Sequence, residues 1–201
     1  MAPSDLLTAE PARRHRLIAD DFARRVHGTR DWSATTPVSG WAARDVVAHL
    51  LEWLTAFIAG GSEVRLPLVP SPTDEPAAAW DAHQRAVQAI LEDPTRAGAP
   101  LTNEHIGTMP LGQAIDRFYT SDVFLHTWDL ARATGQQETL DPELCAAMLA
   151  EMESVEELIR SSGEYGPAVP VAPDADVQTR LIGFIGRDPA WSAAVHSQGQ
   201  Q

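Results

Sequence analysis

The chain has 201 residues, with 28 acidic against 15 basic side chains, and its formal net charge is −13. Hydrophobic residues make up 44% of it, which excludes an intrinsically disordered chain. Because such acidity repels phosphate backbones, we expect no nucleic-acid partner.

The distribution of apolar residues argues against a membrane segment. The longest apolar stretch, residues 46–59, is interrupted by His49 and Glu52 and is too short to span a bilayer. Residues 1–16 contain no long apolar run, so no signal peptide is expected. Cys145 is the only cysteine, which rules out an internal disulfide bond. We therefore expect a cytoplasmic protein without a membrane partner.

Apolar residues recur at spacings of three and four through most of the chain, as they do in amphipathic helices. This periodicity predicts helices at residues 6–27, 41–59, 77–91, 111–134, 142–161 and 177–185. Ser39 is expected to cap the second helix, and the glycines at 60–61 and 135 are expected to end the second and the fourth. Residues 64–76 and 94–110 are predicted loops, and no segment shows the period-two alternation of a strand.

These elements predict an all-α fold, a four-helix bundle with a short C-terminal cap. We expect the bundle at residues 1–162, a crossover and short helix at 163–195, and a polar tail at 196–201. Sites in bundles are built from side chains that face each other across the core, so inward-facing polar residues are the candidates.

Three such residues have the chemistry of metal ligands. Asp122 and His126 are four residues apart, which places them on one face of the fourth helix. His49 lies on the apolar face of the second helix. A hydrogen bond between Asp122 and His126, with His49 as an ordinary core histidine, is the alternative. Since burying all three without partners would cost several kcal/mol, we predict a divalent metal with one or more coordination positions left open.

Other polar or reactive residues are predicted to be structural. Asp129 is expected either to orient His126 by accepting a hydrogen bond or to pair with Arg132 at the surface. Arg187 is expected to pair with Asp188 or another acidic residue. Core positions are predicted for Trp53, Trp128 and Cys145, and surface positions for His83 and His105.

Four segments resemble the mycothiol-dependent maleylpyruvate isomerase family, in the wider DinB/YfiT-like superfamily. They are WAARDVVAHL at 41–50, DVFLHTWDLARATG at 122–135, GPAVP at 166–170 and GRDP at 186–189. The resemblance extends over about residues 31–191 and is strongest to the uncharacterised actinobacterial branch.

The resemblance implies a DinB-like four-helix bundle that holds a divalent metal, usually zinc and sometimes nickel. The ligands would be a histidine of the second helix and a carboxylate and histidine four residues apart on a later helix, which match His49, Asp122 and His126. The isomerase has glutamate where this chain has Asp122, which is one methylene shorter. Its C-terminal domain is also larger than the cap predicted for this chain.

The function implied by the resemblance is that of a metal-dependent thiol transferase or isomerase. Its partners would be a low-molecular-weight thiol, such as mycothiol, and a small electrophile. The residues alone support a metal site, and they leave three alternatives open: a hydrolase that activates metal-bound water, an Fe(II) oxygenase, and a bundle that binds metal or a small molecule without turnover. The oligomeric state, a homodimer included, is also left open.

Overall fold

The structure is a computed structural model that describes residues 5–157, 160 and 166–193. The helices in these residues are α1 (Asp5–Thr8), α2 (Pro11–Gly28), α3 (Ala43–Gly61), α4 (Pro76–Glu92), α5 (Pro94–Ala97), α6 (Leu111–Ala114), α7 (Ser121–Thr134), α8 (Pro142–Ser154) and α9 (Val177–Phe184). A π-helical turn, Ile115–Thr120, joins α6 to α7. Strands β1 (Pro100–Asn103) and β2 (Gly107–Pro110) form the sheet. None of the helices described is long and apolar enough to cross a membrane.

Four long helical segments form the bundle: α2, α3, α4 and the continuous stretch from α6 through the π-helical turn to α7. Helix α2 packs against α4 and α7, and α3 packs against the same two helices. The largest fully buried side chains lie between them and include Phe22, Leu50, Trp80 and Trp128. Outside these four segments, α8 packs against α9. The predicted all-α, DinB-like bundle is therefore confirmed.

The start of α3 differs from the prediction. The helix begins at Ala43, and the residue that precedes it, Ala42, takes the capping position that was expected for Ser39. The carboxylate of Asp45 accepts a hydrogen bond from the backbone N–H of Ala42 at 2.8 Å. A β-bridge between Thr35 and Ala42 holds the chain at this entry point. The hydrogen bond that caps α3 therefore comes from the carboxylate of Asp45, inside the first turn, and not from the hydroxyl of Ser39 before the helix.

The segment predicted as a loop at 94–110 contains α5 and a β-hairpin. The strands are antiparallel, with Leu101 opposite Met109 and Thr102 opposite Thr108. The hydroxyl groups of the two threonines are 2.9 Å apart, and Leu101 is buried. Because each strand has only four residues, no period-two alternation could develop in the sequence, and the expectation of no sheet was wrong here.

The fifth predicted helix, 142–161, ends earlier than expected: the bounds of α8 are Pro142–Ser154, and Val155 follows with non-helical backbone angles. Two further boundary predictions are untested. The predicted domain boundary at 162/163 and the polar tail at 196–201 lie outside the described residues. The division into bundle, crossover and tail therefore stays a prediction.

Gly135, which ends α7, provides a test of the fold. Its φ is +66° and an added Cβ would meet nothing within 4 Å, so conformation alone disfavours a side chain. We expect Gly135→Ala to lower the free energy of unfolding by about 1 kcal/mol. Gly60, also in open space but inside α3, is the matched control, and Gly60→Ala should raise it by about 0.5–1 kcal/mol. Urea denaturation measures both changes, and equal effects would contradict the left-handed helix end.

Candidate metal centre

His49, Asp122 and His126 lie together in one cluster. The Nε2 atom of His49 is 3.2 Å from Oδ2 of Asp122, and the Nε2 atom of His126 is 3.5 Å from Oδ1 of the same carboxylate. The two imidazole centroids are 5.0 Å apart. One ligand atom from each residue lies within 4.8 Å of the other two. The structure therefore brings the three predicted residues together, and their binding of a metal stays a prediction.

Two helices position these side chains. His49 is in the middle of α3, and Asp122 and His126 are in the first turns of α7, directly after the π-helical turn. The i,i+4 spacing places the last two on one face of α7. A π-helical turn contains an extra residue per turn and shifts the faces of the helix that follows it. The turn thus sets which face of α7 is presented to α3.

Exposure falls from one side of the cluster to the other. The side chain of His49 is 32% exposed and that of Asp122 is 20% exposed, whereas His126 is 4% exposed. Asp129, behind His126, is fully buried. The cluster is thus open to solvent on the side of His49 and closed on the side of Asp129. A small molecule would approach it from the His49 side.

Asp129 fixes the orientation of His126. Its Oδ2 atom is 2.9 Å from Nδ1 of His126, and because a carboxylate accepts, Nδ1 carries the proton. Nε2 faces Asp122 and is the nitrogen that would bind a cation in place of a proton. Histidine ligands commonly have such a carboxylate on their second nitrogen. Of the two roles expected for Asp129, the structure has the orienting one, since Arg132 pairs with Glu138 at 2.8 Å.

Arg187 compensates the charge of Asp129 from the segment after α9. Its guanidinium Nη2 is 3.2 Å from Oδ2 of Asp129, and its Nε is 3.2 Å from Oδ1. The expected pairing of Arg187 with an acidic residue is therefore found, with Asp129 rather than Asp188. The pair links the C-terminal segment to the candidate centre through a single carboxylate.

The charges in the cluster support one another. Burial by itself would raise the pKa of Asp122, but the neighbouring His126 and His49 outweigh burial and lower it. Burial by itself would lower the pKa of His126, but the carboxylates of Asp122 and Asp129 outweigh the effect of burial, so the pKa of His126 is raised. Burial would raise the pKa of Asp129, but the hydrogen bond from His126 and the charge of Arg187 lower it. Both carboxylates are therefore ionised at neutral pH and suit a cation.

Two tryptophans flank the cluster, and the sequence did not single them out as part of it. The ring of Trp41 lies 4.9 Å from that of His49 and 5.7 Å from that of His126. The indole Nε1 of Trp53 donates to Oδ2 of Asp122 at 2.9 Å. Trp53 is only partly buried, so its predicted core position is corrected. The sequence did contain a signal for this role, because Trp53 is four residues after His49 and therefore lies on the same face of α3.

The other polar or reactive residues considered in the sequence lie outside the candidate centre. Trp128 and Cys145 are buried as expected, and burial raises the pKa of the Cys145 thiol to about 12. His105 is 81% exposed, also as expected. His83 was expected at the surface but is 1% exposed. It faces the inside of the bundle from α4, although its neighbours in sequence, Asp81 and Gln84, are polar.

Comparison with known proteins places the chain in a family. The family model of the mycothiol maleylpyruvate isomerase N-terminal domain matches residues 15–131, more than half of the chain and all three clustered residues. The chain belongs to this family.

Two curated relatives are uncharacterised proteins of Mycobacterium tuberculosis, from strains CDC 1551 / Oshkosh and H37Rv. Each is 30% identical over 188 residues, covering 89% of this chain and 98% of the relative. No solved structure gives a significant match. The family membership is thus established, while the relatives' names describe no activity.

The donor set fits a divalent cation. Two imidazole nitrogens and a carboxylate form a common zinc-ligand combination. The carboxylate of Asp122 is ionised, and the hydrogen bond from Nδ1 to Asp129 leaves Nε2 as the atom of His126 that would bind the cation. Three protein ligands with one open side are typical of catalytic rather than structural zinc sites.

The hydrogen bond from His126 to Asp129 yields a prediction for metal affinity. We expect Asp129→Asn to weaken zinc binding about 10- to 100-fold, because the amide fixes the His126 tautomer less firmly and leaves Arg187 without its anion. Competition with a chromophoric chelator measures the dissociation constant. The control is Asp74→Asn, a change at an exposed position that should leave the affinity as it is. Equal affinities in the two variants would show that Asp129 does not orient a ligand.

Proposed function

We propose that this protein is a divalent-metal-dependent enzyme of the thiol-transferase or isomerase type. It would bind zinc through His49, Asp122 and His126, and its cosubstrate would be a low-molecular-weight thiol such as mycothiol. The observation that carries the proposal is the cluster of three ligand-type side chains, with His126 oriented by Asp129, in a chain of the mycothiol maleylpyruvate isomerase family.

The residues of the chain have distinct parts in this proposal. Asp122 and the two histidines bind the cation, and Asp129 keeps the Nε2 lone pair of His126 directed at it. Trp53 holds one oxygen of Asp122 by its indole N–H. The exposed side of His49 is the route by which thiol and electrophile reach the centre. A divalent cation bound there lowers the pKa of a coordinated thiol, so that a nucleophilic thiolate exists at neutral pH.

The thiol must come from a small molecule. Cys145 is the only cysteine of the chain. It is fully buried, and a pKa of about 12 keeps it protonated at physiological pH. The chain thus supplies the centre that activates a thiol but no reactive thiol of its own, which agrees with a small-molecule cosubstrate.

A hydrolase is the second candidate. The same three donors, open on one side, would hold a cation that activates water instead of a thiol. A bundle that binds metal without turnover would use the same residues. The experiments below separate these candidates from thiol chemistry, since only the thiol enzyme coordinates sulfur at the open position.

The ligand assignment predicts the metal content. His126→Ala should purify without stoichiometric metal while keeping its helix content, because the ligand set is broken and alanine favours helix. His105→Ala, at an exposed position, is the control and should keep both. Elemental analysis and circular dichroism measure the two quantities. Stoichiometric metal in His126→Ala would refute the assignment.

Metal binding also predicts an effect of chelation on stability. A chelator should lower the melting temperature of the unaltered protein, since metal 100-fold above its dissociation constant adds about 2.7 kcal/mol of stability.

The thiol assignment predicts a change in the spectrum of the cobalt-substituted protein. Adding mycothiol should produce a sulfur-to-cobalt charge-transfer absorption, because the thiolate would occupy the open coordination position. S-methyl mycothiol, which cannot form a thiolate, is the matched control and should give no such band. If Co(II) is bound and mycothiol leaves the spectrum unchanged, the thiol proposal fails and the hydrolase becomes the leading candidate.

A further inference from the structure

A second polar cluster lies inside the bundle and contains none of the candidate metal ligands. His15 from α2, His83 from α4 and Tyr119 from the π-helical turn are each at most 1% exposed. The ring of Tyr119 lies 6.1 Å from that of His15 and 5.7 Å from that of His83, measured between centroids. Three separate segments of the bundle thus bring polar side chains to one point of the core.

The polar atoms at this point have no hydrogen-bond partner among the residues that the structure describes. Nε2 of His15, Nε2 of His83 and Oη of Tyr119 are buried, and the described part of the chain offers none of them a hydrogen bond. Trp80, whose ring is 6.4 Å from that of His83, adds an unpartnered indole N–H. Each unsatisfied buried group costs roughly 1–3 kcal/mol, so four of them in one place require an explanation.

The hydrogen bonds around His15 show that the cluster lacks a hydrogen-bond donor for Nε2 of His15. Nδ1 of His15 is 2.8 Å from Oε1 of Gln88. The amide nitrogen of Gln88 donates to the carbonyl of Ala12 and to Glu92, which fixes the orientation of the amide. Oε1 can only accept, so Nδ1 carries the proton and Nε2 of His15 is an acceptor without a donor.

Protonating His15 or His83 does not supply the missing hydrogen bonds. Burial lowers the pKa of His15, and burial together with the nearby His15 lowers the pKa of His83 to about 3. Both imidazoles are therefore neutral at physiological pH. A neutral ligand that can donate to His15 Nε2 and also accept from Tyr119 or Trp80 is required, and water has this combination of donors and acceptors.

We propose that this cluster is an internal water-binding site. At least one ordered water donates to Nε2 of His15 and also hydrogen-bonds with Oη of Tyr119 and Nε2 of His83, and the indole N–H of Trp80 can donate to it. Buried waters in proteins make about three hydrogen bonds to groups that otherwise have no partner, and these four groups provide that number. The site does not depend on the proposed metal chemistry, because none of its polar atoms belongs to the candidate ligands.

The sign of a stability change tests the proposal. If water bridges the cluster, Tyr119→Phe removes one of its partners and should lower the melting temperature by roughly 2–4 °C. If the hydroxyl is instead buried without water, removing it abolishes an uncompensated polar group and should raise the melting temperature. Phenylalanine keeps the ring and therefore its packing against His15 and His83, so the hydroxyl alone is tested. An unchanged or raised melting temperature overturns the proposal.

A second substitution tests the same point from α4. His83→Leu should also lower the melting temperature, whereas the control His105→Leu, on the surface, should leave it nearly unchanged. In the double variant Tyr119→Phe with His83→Leu, the loss should be smaller than the sum of the single losses, because both residues bind the same water. Additive losses would mean that the two side chains share no water.

Direct observation keeps the test independent of any variant. A high-resolution crystal structure of the unaltered protein should contain an ordered solvent peak within hydrogen-bond distance of His15 Nε2. The absence of any solvent peak there would overturn the proposal whatever the variants do. Zinc content should be the same in Tyr119→Phe as in the unaltered protein, which separates failure at this site from failure at the candidate metal centre.

Discussion

A carboxylate that is fully buried needs charged or hydrogen-bonding partners, and Asp129 receives one from its own helix and one from the distant C-terminal segment. His126 donates to it at 2.9 Å, and the guanidinium of Arg187 lies 3.2 Å away. The candidate centre depends on this arrangement, because the hydrogen bond from Nδ1 to Asp129 turns Nε2 of His126 toward Asp122, where both atoms could bind one cation. Losing Arg187 would remove the guanidinium from a fully buried carboxylate, which is far more costly than losing a surface ion pair.

The bundle keeps its buried polar groups in two clusters of different chemistry. Around Asp122 and Asp129 every charge has an opposite charge beside it, and one side is open to solvent. Around His15 and His83 the groups are neutral and fully enclosed, as burial without counterions requires. The π-helical turn lies between the two: it places Tyr119 in the enclosed cluster, and α7, which starts at its end, places Asp122 in the open one. The rings of Tyr119 and Trp53, 5.7 Å apart, are where the two clusters meet.

Most of the fold could be predicted because amphipathic helices carry their own signal. The helix predicted at 77–91 agrees with α4, and the stretch at 111–134 agrees with α6 through α7. The β-hairpin at 100–110 could not be predicted, since four-residue strands are too short for periodicity and their pairing is decided by contact with α3. The start of α3 was missed for a related reason: the acceptor that satisfies Ala42 lies within the helix, in Asp45, and not in the residues before it.

The sequence by itself determined the elements and the local pair. A spacing of four residues fixes Asp122 and His126 on one face of any helix that contains them, and a spacing of three places Asp129 beside His126. Only the tertiary structure decided which distant residues join them. His49 is 73 residues from Asp122, and Arg187 is 58 residues from Asp129. His83 shows the same limit, since its polar sequence neighbours indicated the surface while the packing of α4 against α2 placed it in the core. Periodicity reports which side of a helix is apolar, but the partner that covers that side is set by packing between helices, which no local pattern encodes.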